Sequence, residues 1–428
     1  MSQDSLLLGK NQARRILVTL LAGGLLTFLV VTLARAQNNE EIVHIFGTGG
    51  GIDGADPYGG VVLDSAGNLY GTANYGGSHH LGLVWKMSRG ANGQWSETPI
   101  YNFGDANDDG SYGPLSGLVF DQVGDLYGTT IGGGQPSGQA GTVFELSPGA
   151  TGKWLYKHIH SFGGVEGQQP RSAVIFDSVG NLYGNTSENG LYNEGTVFKL
   201  ARGSGGVWQE ETLYSFGANP GDATGANQSV AIDSSGNIWG TIYVGGAYGL
   251  GAIYELTPNS IGGWTETIIH SFAGGSDGAY PQCSLTFDAN GNLYGTVGYE
   301  GPSGDGYVYE LSPAAGGGWT MTMIYDLAGV EGRGAYGKLT FDTAGNLYGA
   351  TLDGGAYGEG NVFVLKRAPG GTWTGKNLHS LRGGVQGCEV DGGVSLDSAG
   401  NLYGTTLYCG NGEGVYGSGM VFEIIPAH

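Results

Sequence analysis

Acidic and aromatic residues recur in the glycine-rich segments that separate the apolar runs of this chain. In five segments an acid stands directly before a glycine, at Asp53, Asp109, Glu166, Asp277 and Glu331. A tyrosine follows in four of them, at Tyr58, Tyr112, Tyr280 and Tyr336. Carboxylates accept hydrogen bonds from hydroxyl groups and aromatic faces stack on the C–H faces of sugars, so this set predicts a carbohydrate-binding surface. The alternative is structural, with tyrosines wedged between repeating units and acids in solvent.

One acidic segment also has the spacing of a calcium loop. Asp105, Asn107 and Asp109 place side-chain oxygens at alternate positions before Gly110, as at the start of loops that wrap this cation. Position twelve is Ser116 instead of glutamate, so the segment is not an EF-hand. Two interpretations stay open, a shorter calcium loop and a plain acidic loop. Calcium is the one cofactor that the sequence suggests.

Histidine and tyrosine alternate at one repeat position. The histidines are His44, His160, His270 and His379, and the tyrosines are Tyr101, Tyr214 and Tyr325. Tyrosine has the aromatic ring but lacks the ring nitrogens with which histidine ligates metals. We therefore expect a packing position and not a ligand set.

The three cysteines are predicted to form one disulfide and one buried thiol. Cys388 and Cys409 fall in neighbouring loops of one repeating unit, so we expect them to pair, as cysteines of exported proteins commonly do. Cys283 begins an apolar run and is predicted to be buried and free.

Composition favours a turn-rich β protein. Glycine accounts for 88 of the 428 residues, and charged residues for only 13%. Each glycine inside a helix costs about 1 kcal/mol against alanine, which excludes long helices, whereas aromatic and β-branched runs between turn residues favour strands. The formal net charge of −21 argues against nucleic acid and anionic membranes as partners, because both require basic patches.

Residues 1–36 have the pattern of a secretory signal peptide. Basic residues precede an apolar run over 16–33, and Ala34-Arg35-Ala36 provides a small-x-small cleavage site before Gln37. We predict cleavage there, export to the extracellular space or periplasm, and no membrane contact afterwards. An uncleaved anchor is the alternative, because the run just reaches spanning length.

One octet, typically DSAGNLYG, recurs seven times. The copies begin at Asp64, Asp121, Asp177, Asp233, Asp288, Asp342 and Asp397. Their spacing of 54 to 57 residues indicates a repeat architecture. Each unit contains four short apolar segments, predicted as strands A to D. Four-stranded units arranged about an axis form a β-propeller.

The octet resembles the Gloeo/Verruco-type tandem repeat of secreted bacterial proteins, and the resemblance covers about residues 41–425. It implies a propeller-like repeat protein outside the cell. It implies no particular activity.

The two ends of the chain complement each other. The last unit stops after strand C near 420–425, and the segment 41–46 resembles strand D of the other units. We therefore predict that residues 37–428 form an all-β, seven-bladed propeller of four-stranded antiparallel blades, a monomer whose ring is closed by the N-terminal strand. Closure would leave no free strand edge.

The strand order assigns the loops to two faces. In an antiparallel meander the A–B and C–D turns share one face, and the B–C and D–A loops share the other. The octet aspartates belong to the tight A–B turns and are predicted to bind turn backbone. The acid and tyrosine set belongs to the longer, variable loops, where binding residues concentrate.

The leading hypothesis is a secreted, non-catalytic propeller that binds a glycan or another extracellular ligand through its loop-rich face. The chain contains no H-E-x-x-H, P-loop or C-x-x-C motif. Spacing alone leaves two alternatives. One is an enzyme (a lactonase, lyase or glycoside-active protein) with its site at the central opening, and the other is a structural or adhesive surface protein.

Overall fold

The computed structural model describes residues 39–48, 51–106, 109, 113–134, 140–219, 221–222, 226–328, 332–410 and 418–426. These residues form seven four-stranded sheets, in which strands adjacent in the sheet pair antiparallel. The prediction of an all-β, seven-bladed propeller is confirmed. Three short 3-10 helices lie in loops of the described part, at Gly164–Glu166, Gly275–Asp277 and Gly384–Gln386. Among the described residues no helix is long and apolar enough to cross a membrane.

Each blade runs from a short inner strand A to a long outer strand D. The A strands are β2 Val62–Leu63, β6 Val119–Phe120, β10 Ile175–Phe176, β14 Ala231–Ile232, β18 Thr286–Phe287, β22 Thr340–Phe341 and β26 Val394–Leu396. The B strands are β3 Leu69–Ala73, β7 Leu126–Thr130, β11 Leu182–Thr186, β15 Ile238–Ile242, β19 Leu293–Val297, β23 Leu347–Thr351 and β27 Leu402–Thr406. The C strands are β4 Leu83–Arg89, β8 Thr142–Pro148, β12 Thr196–Arg202, β16 Ala252–Pro258, β20 Tyr307–Pro313, β24 Asn361–Arg367 and β28 Met420–Ile425. The D strands are β1 Asn39–Ile45, β5 Trp95–Asn102, β9 Trp154–Ser161, β13 Trp208–Ser215, β17 Trp264–Ser271, β21 Trp319–Asp326 and β25 Trp373–Ser380.

The octet aspartate organises the A–B turn, as predicted. In the first blade Asp64 Oδ1 accepts hydrogen bonds from the backbone N–H groups of Ala66 and Asn68, both at 2.9 Å. Its Oδ2 accepts from the Asn68 amide at 2.7 Å and the Tyr70 hydroxyl at 3.0 Å. Burial favours the neutral acid, but these hydrogen bonds outweigh it, and the pKa of Asp64 is lowered. The carboxylate thus holds a tight turn and is not free for a ligand.

The last glycine of the octet allows an aromatic ring of strand C to lie across strand B. A Cβ on Gly184 would come within 2.6 Å of the Phe198 ring, and one on Gly128 would come equally close to Phe144. Only hydrogen fits at that separation. The octet tyrosine then packs on the next blade, since the rings of Tyr70 and Phe120 meet edge to face with centroids 5.2 Å apart.

The N-terminal strand closes the ring. Strand β1 pairs antiparallel with β28, so the last sheet has the order β1-β28-β27-β26. Arg89 of the first blade bonds Glu41 of β1 at 2.8 Å and lies 3.4 Å from Glu423 of β28. On the other side Glu40 of β1 lies 3.0 Å from His379 of the sixth blade. The first strand therefore joins three blades.

Removing β1 should open the ring. A chain lacking residues 1–46 would leave the β28 edge unpaired and the Arg89 and His379 contacts unmade. We expect a lower urea midpoint and concentration-dependent association through the free edge, measured by denaturation and light scattering. A chain lacking only residues 1–36 is the control, and we expect it to be monomeric. Equal urea midpoints for the two chains would contradict the closure role.

Candidate functional site

The seven A strands and the segments before them surround a central cavity of about 1110 Å³. One lining residue from each blade stands six positions before the octet aspartate, and we call this set the mouth ring. It consists of Tyr58, Leu115, Arg171, Asn227, Gln282, Tyr336 and Asp391. Because the chain enters strand A from the D–A loop, the mouth ring lies at the loop-rich end of the cavity.

Proline residues and pairing between loops fix the chain segments that lead into the mouth ring. Proline precedes the ring residue in four blades, at Pro57, Pro114, Pro170 and Pro281. Its fixed φ limits the conformations open to the chain at that point. Isolated bridges such as Ala279 with Tyr299, and Cys388 with Tyr408, pair the D–A loop with the B–C loop of the same blade in five blades of the described structure.

Threonine hydroxyl groups deeper in the cavity wall donate hydrogen bonds to backbone carbonyls. Thr286 Oγ1 donates to the Leu339 carbonyl at 2.8 Å, and Thr340 Oγ1 donates to the Val394 carbonyl at 2.7 Å. Each bond crosses from one blade to the next. These side chains therefore join the inner strands into one wall, and the mouth ring contains the first side chains that an entering ligand meets.

Tyrosines from the B–C loops extend the mouth ring outward. The rings of Tyr299 and Tyr336 meet with centroids 5.9 Å apart, and those of Tyr243 and Tyr280 lie 4.9 Å apart. Burial, together with the neighbouring Tyr299, raises the pKa of the Tyr336 hydroxyl far above its usual value. The phenol consequently stays protonated and can donate a hydrogen bond.

Carboxyl groups gather on the seventh-blade side of the mouth. Burial and then the charge of Glu389 raise the pKa of Asp391 to about 6. Burial and the charges of Asp353 and Glu359 also raise the pKa of Glu389. Asp391 therefore changes protonation state close to neutral pH, which a solvated aspartate does not do.

The structure places the predicted acids on the outer wall and not at the mouth. Each described one contacts the histidine or tyrosine of the preceding D strand, in the pairs His44–Asp53, Tyr101–Asp109, His160–Glu166 and His270–Asp277. None of these four acids lines the cavity. Glu331 lies outside the described residues. A ligand-binding role for these acids stays a prediction, but their contacts are intramolecular.

Tyrosines at this repeat position also contact the following blade. Tyr156 stacks on Tyr101 with centroids 4.6 Å apart, and the Tyr214 hydroxyl lies 3.2 Å from Glu266. In the sixth blade Gln386 stands where the other loops have an acid, and Glu40 of β1 contacts His379 instead. The alternating histidine and tyrosine position is thus a joint between blades, as its composition suggests.

The predicted tyrosines divide between the two regions. Tyr58 and Tyr336 line the cavity, and Tyr280 packs against Tyr243. Tyr112 lies outside the described residues. Arg171, Asn227, Gln282 and Asp391 were not predicted, because the seven repeats have no common residue type at this position. The signal in the sequence is the variation at this one position beside a nearly constant octet.

The calcium loop stays a prediction. Both oxygens of Asp109 accept the Gly104 backbone N–H at 2.9 and 3.1 Å, and Asp109 Oδ2 also accepts from the Ala106 N–H. Asp105 pairs with His79 at 2.9 Å. The two described carboxylates thus have separate protein partners, and Asn107 lies outside the described residues.

A disulfide joins Cys388 and Cys409, the pair expected from the sequence. Its half-cystines flank Glu389 and Tyr408, two cavity-lining residues, so the bond ties together part of the mouth. Cys283 is buried and free, and its Sγ accepts the Thr296 N–H at 2.8 Å.

These features define a seven-bladed β-propeller with a polar, aromatic mouth on its axis. The chain belongs to the Gloeobacter/Verrucomicrobia repeat family, whose model matches residues 27–231 and 225–428. No curated protein sequence gives a significant match.

Solved propellers are similar in fold at low identity. An ancestral GH74 enzyme is 11% identical with a TM-score of 0.56, over 87% of this chain and 48% of that one. A candidate 6-phosphogluconolactonase from Bacteroides uniformis is 14% identical with a TM-score of 0.50, over 91% of this chain and 100% of that one. At such identity the likeness shows the fold alone.

Carboxyl groups at the blade joints should make stability depend on pH. Burial raises the pKa of Glu97 and Glu210 to about 7, and burial followed by the charge of Asp222 raises that of Glu266 to about 8. A carboxyl group whose pKa is raised by folding contributes to the free energy of unfolding at low pH. This contribution is lost as the pH rises through the folded-state pKa. Between pH 6.5 and 8 we expect the melting temperature to increase as pH falls. His44 and His160, whose pKa burial lowers from 6.5, act in the opposite direction only below that range.

Glu266→Gln should raise the melting temperature at pH 8 and flatten its pH dependence, because the amide mimics the protonated acid. Glu211→Gln, at an exposed position of β13, is the matched control. A melting temperature that rises towards pH 8 in the parent protein would contradict this account.

Proposed function

We propose that this protein is an exported, non-catalytic propeller that binds a carbohydrate at the loop-rich mouth of its central cavity. The supporting observation is the contrast between two repeat positions. The octet is nearly the same in all seven blades, whereas the mouth ring contains six different residue types in seven blades. A scaffold that repeats while one cavity-lining position varies is the pattern expected of a site with a specific, asymmetric ligand.

The chemistry of the mouth suits a polyhydroxylated ligand. The Asn227 and Gln282 amides can both donate and accept hydrogen bonds, as sugar hydroxyls do. Tyr58 and Tyr336 offer protonated phenols, and the neighbouring tyrosine rings offer faces for C–H stacking. A volume of about 1110 Å³ exceeds the usual range for small-molecule pockets, so an oligosaccharide would fit.

Gln282→Ala should weaken glycan binding. The exposed glycan is first identified on an array, and its affinity is then measured by calorimetry. Loss of one hydrogen-bonding side chain should cost about 1 kcal/mol, or roughly fivefold in Kd. Gln122→Ala, exposed on an A–B turn of the opposite face, is the control and should bind as the parent does. Equal effects of both changes, or no glycan bound by the parent, would refute the proposal.

An enzyme acting on glycosides or lactones is the second candidate function. Asp391 and Glu389 favour it, because two neighbouring cavity-lining carboxyls with raised pKa are what acid catalysis near neutral pH requires. The glycans that bind are therefore also analysed by mass spectrometry after incubation. Cleavage that Asp391→Asn abolishes while binding persists would establish the enzyme.

Export should leave a chain that begins at Gln37. The basic segment, apolar run and small-x-small site of residues 1–37 support this, and they lie outside the described residues. The measurement is the intact mass of the chain recovered from the medium or periplasm of an expressing bacterium. A substitution of Ala36 by a bulky residue, Ala36→Trp, should block processing. Recovery of the complete chain in the membrane fraction would show an uncleaved anchor instead.

A further inference from the structure

A single lysine stands one level below the mouth ring. The residues four positions before the octet aspartate form an inner ring that consists of Gly60, Gly117, Ala173, Ser229, Ser284, Lys338 and Gly393. Six of the seven are glycine, alanine or serine. The Lys338 side chain alone can extend far into the cavity, and it is exposed to the solvent there.

Lys338 has no hydrogen bond or ion pair with any other described residue. The other cationic residue of the cavity is Arg171, and its guanidinium bonds Gln169 at 2.6 Å and Ser187 at 3.2 Å. Among the described residues, the cavity therefore contains one primary amine that forms no ion pair with a carboxylate. The small neighbours in the inner ring leave room beside it for a ligand group.

We propose that Lys338 binds an anionic substituent, a carboxylate or a sulfate ester, of a sugar held at the mouth. This inference rests on the proposed function and names the ligand class for the same site. An ammonium ion inside a protein is stabilised when it gains an opposite charge and a charge-assisted hydrogen bond. A sugar acid that enters from the mouth would supply both at the depth where Lys338 lies.

The protonation states favour this binding at low pH. Desolvation by the surrounding cavity wall lowers the pKa of Lys338, and an anion bound beside the amine would counter this effect by favouring its charged form. Asp391, with a pKa of about 6, loses its repulsive charge below that pH. The titratable groups around Asp391 are Glu389, whose pKa is also raised, and Tyr58 and Tyr336, whose phenols stay neutral. Affinity for an acidic sugar should thus be higher at pH 5 than at pH 8.

The experiment compares oligogalacturonate, a sulfated galactan oligomer and a neutral galactan oligomer by calorimetry. Lys338→Met removes the charge and retains much of the volume, and Lys338→Arg keeps the charge. Lys376→Met is the matched control, since Lys376 is exposed on the outer strand β25. Melting curves of all variants verify that they are folded.

We expect the parent protein to bind at least one acidic oligomer, and to bind it more tightly at pH 5 than at pH 8. Lys338→Met should weaken that binding about tenfold, or about 1.4 kcal/mol. Lys338→Arg should retain the affinity, and Lys376→Met should behave as the parent does. The preferred acidic oligomer shows whether carboxylate or sulfate is recognised.

Two results would overturn the inference and leave the proposed function standing. One is binding of the neutral oligomer alone, and the other is equal binding of an acidic oligomer by the parent and Lys338→Met. Equal weakening of neutral and acidic binding in Lys338→Met would also overturn it, because it would indicate a structural role. If no oligosaccharide binds to the parent, the proposed function fails and the inference fails with it.

Discussion

Each blade buries its apolar faces against its two neighbours, and this dependence governs the whole molecule. One core cluster combines Tyr183 and Val197 of the third blade with Ile238, Tyr254 and Leu256 of the fourth. Another combines Tyr403 and Val421 of the last blade with residues of the first. Every core cluster of the described residues combines two neighbouring blades, so an open stack would expose apolar surface at both ends. The pairing of β1 with β28 removes those ends.

Because the blades repeat, the residues that stabilise the fold are different from the residues that line the mouth. Turn aspartates, octet glycines and outer-wall ring–acid pairs recur from blade to blade, and they are engaged in bonds within the scaffold. The mouth ring takes little part in that network, so its residues can differ between blades at low cost. Seven side chains of six different types surround one axis, so a nearly symmetric fold has an asymmetric surface there. That asymmetry is what a binding site for one particular ligand needs.

Much of the architecture could be predicted from the sequence, because the octet spacing and the complementary ends are local patterns. The site was harder to predict, since a D–A loop runs radially from the outermost strand to the innermost one. Residues early in the loop, such as Asp53 and Asp109, lie against the outer strand, whereas residues at its end, such as Tyr58 and Tyr336, reach the axis. Assigning a loop to one face of the propeller does not specify how far from the central axis each of its residues lies. Lys338 was missed for a similar reason, because a lone lysine in a repeat has no motif.

The shared last blade also has a consequence for the order of folding. Strand β1 pairs with β28, and all the other strands lie between these two in the chain. Strand β1 therefore has no partner strand until β28 is in place. Contacts of such long sequence separation are slow to form. Completion of the ring is thus a late kinetic event, and a chain stopped before residue 420 would lack β28 and leave β1 without its partner strand.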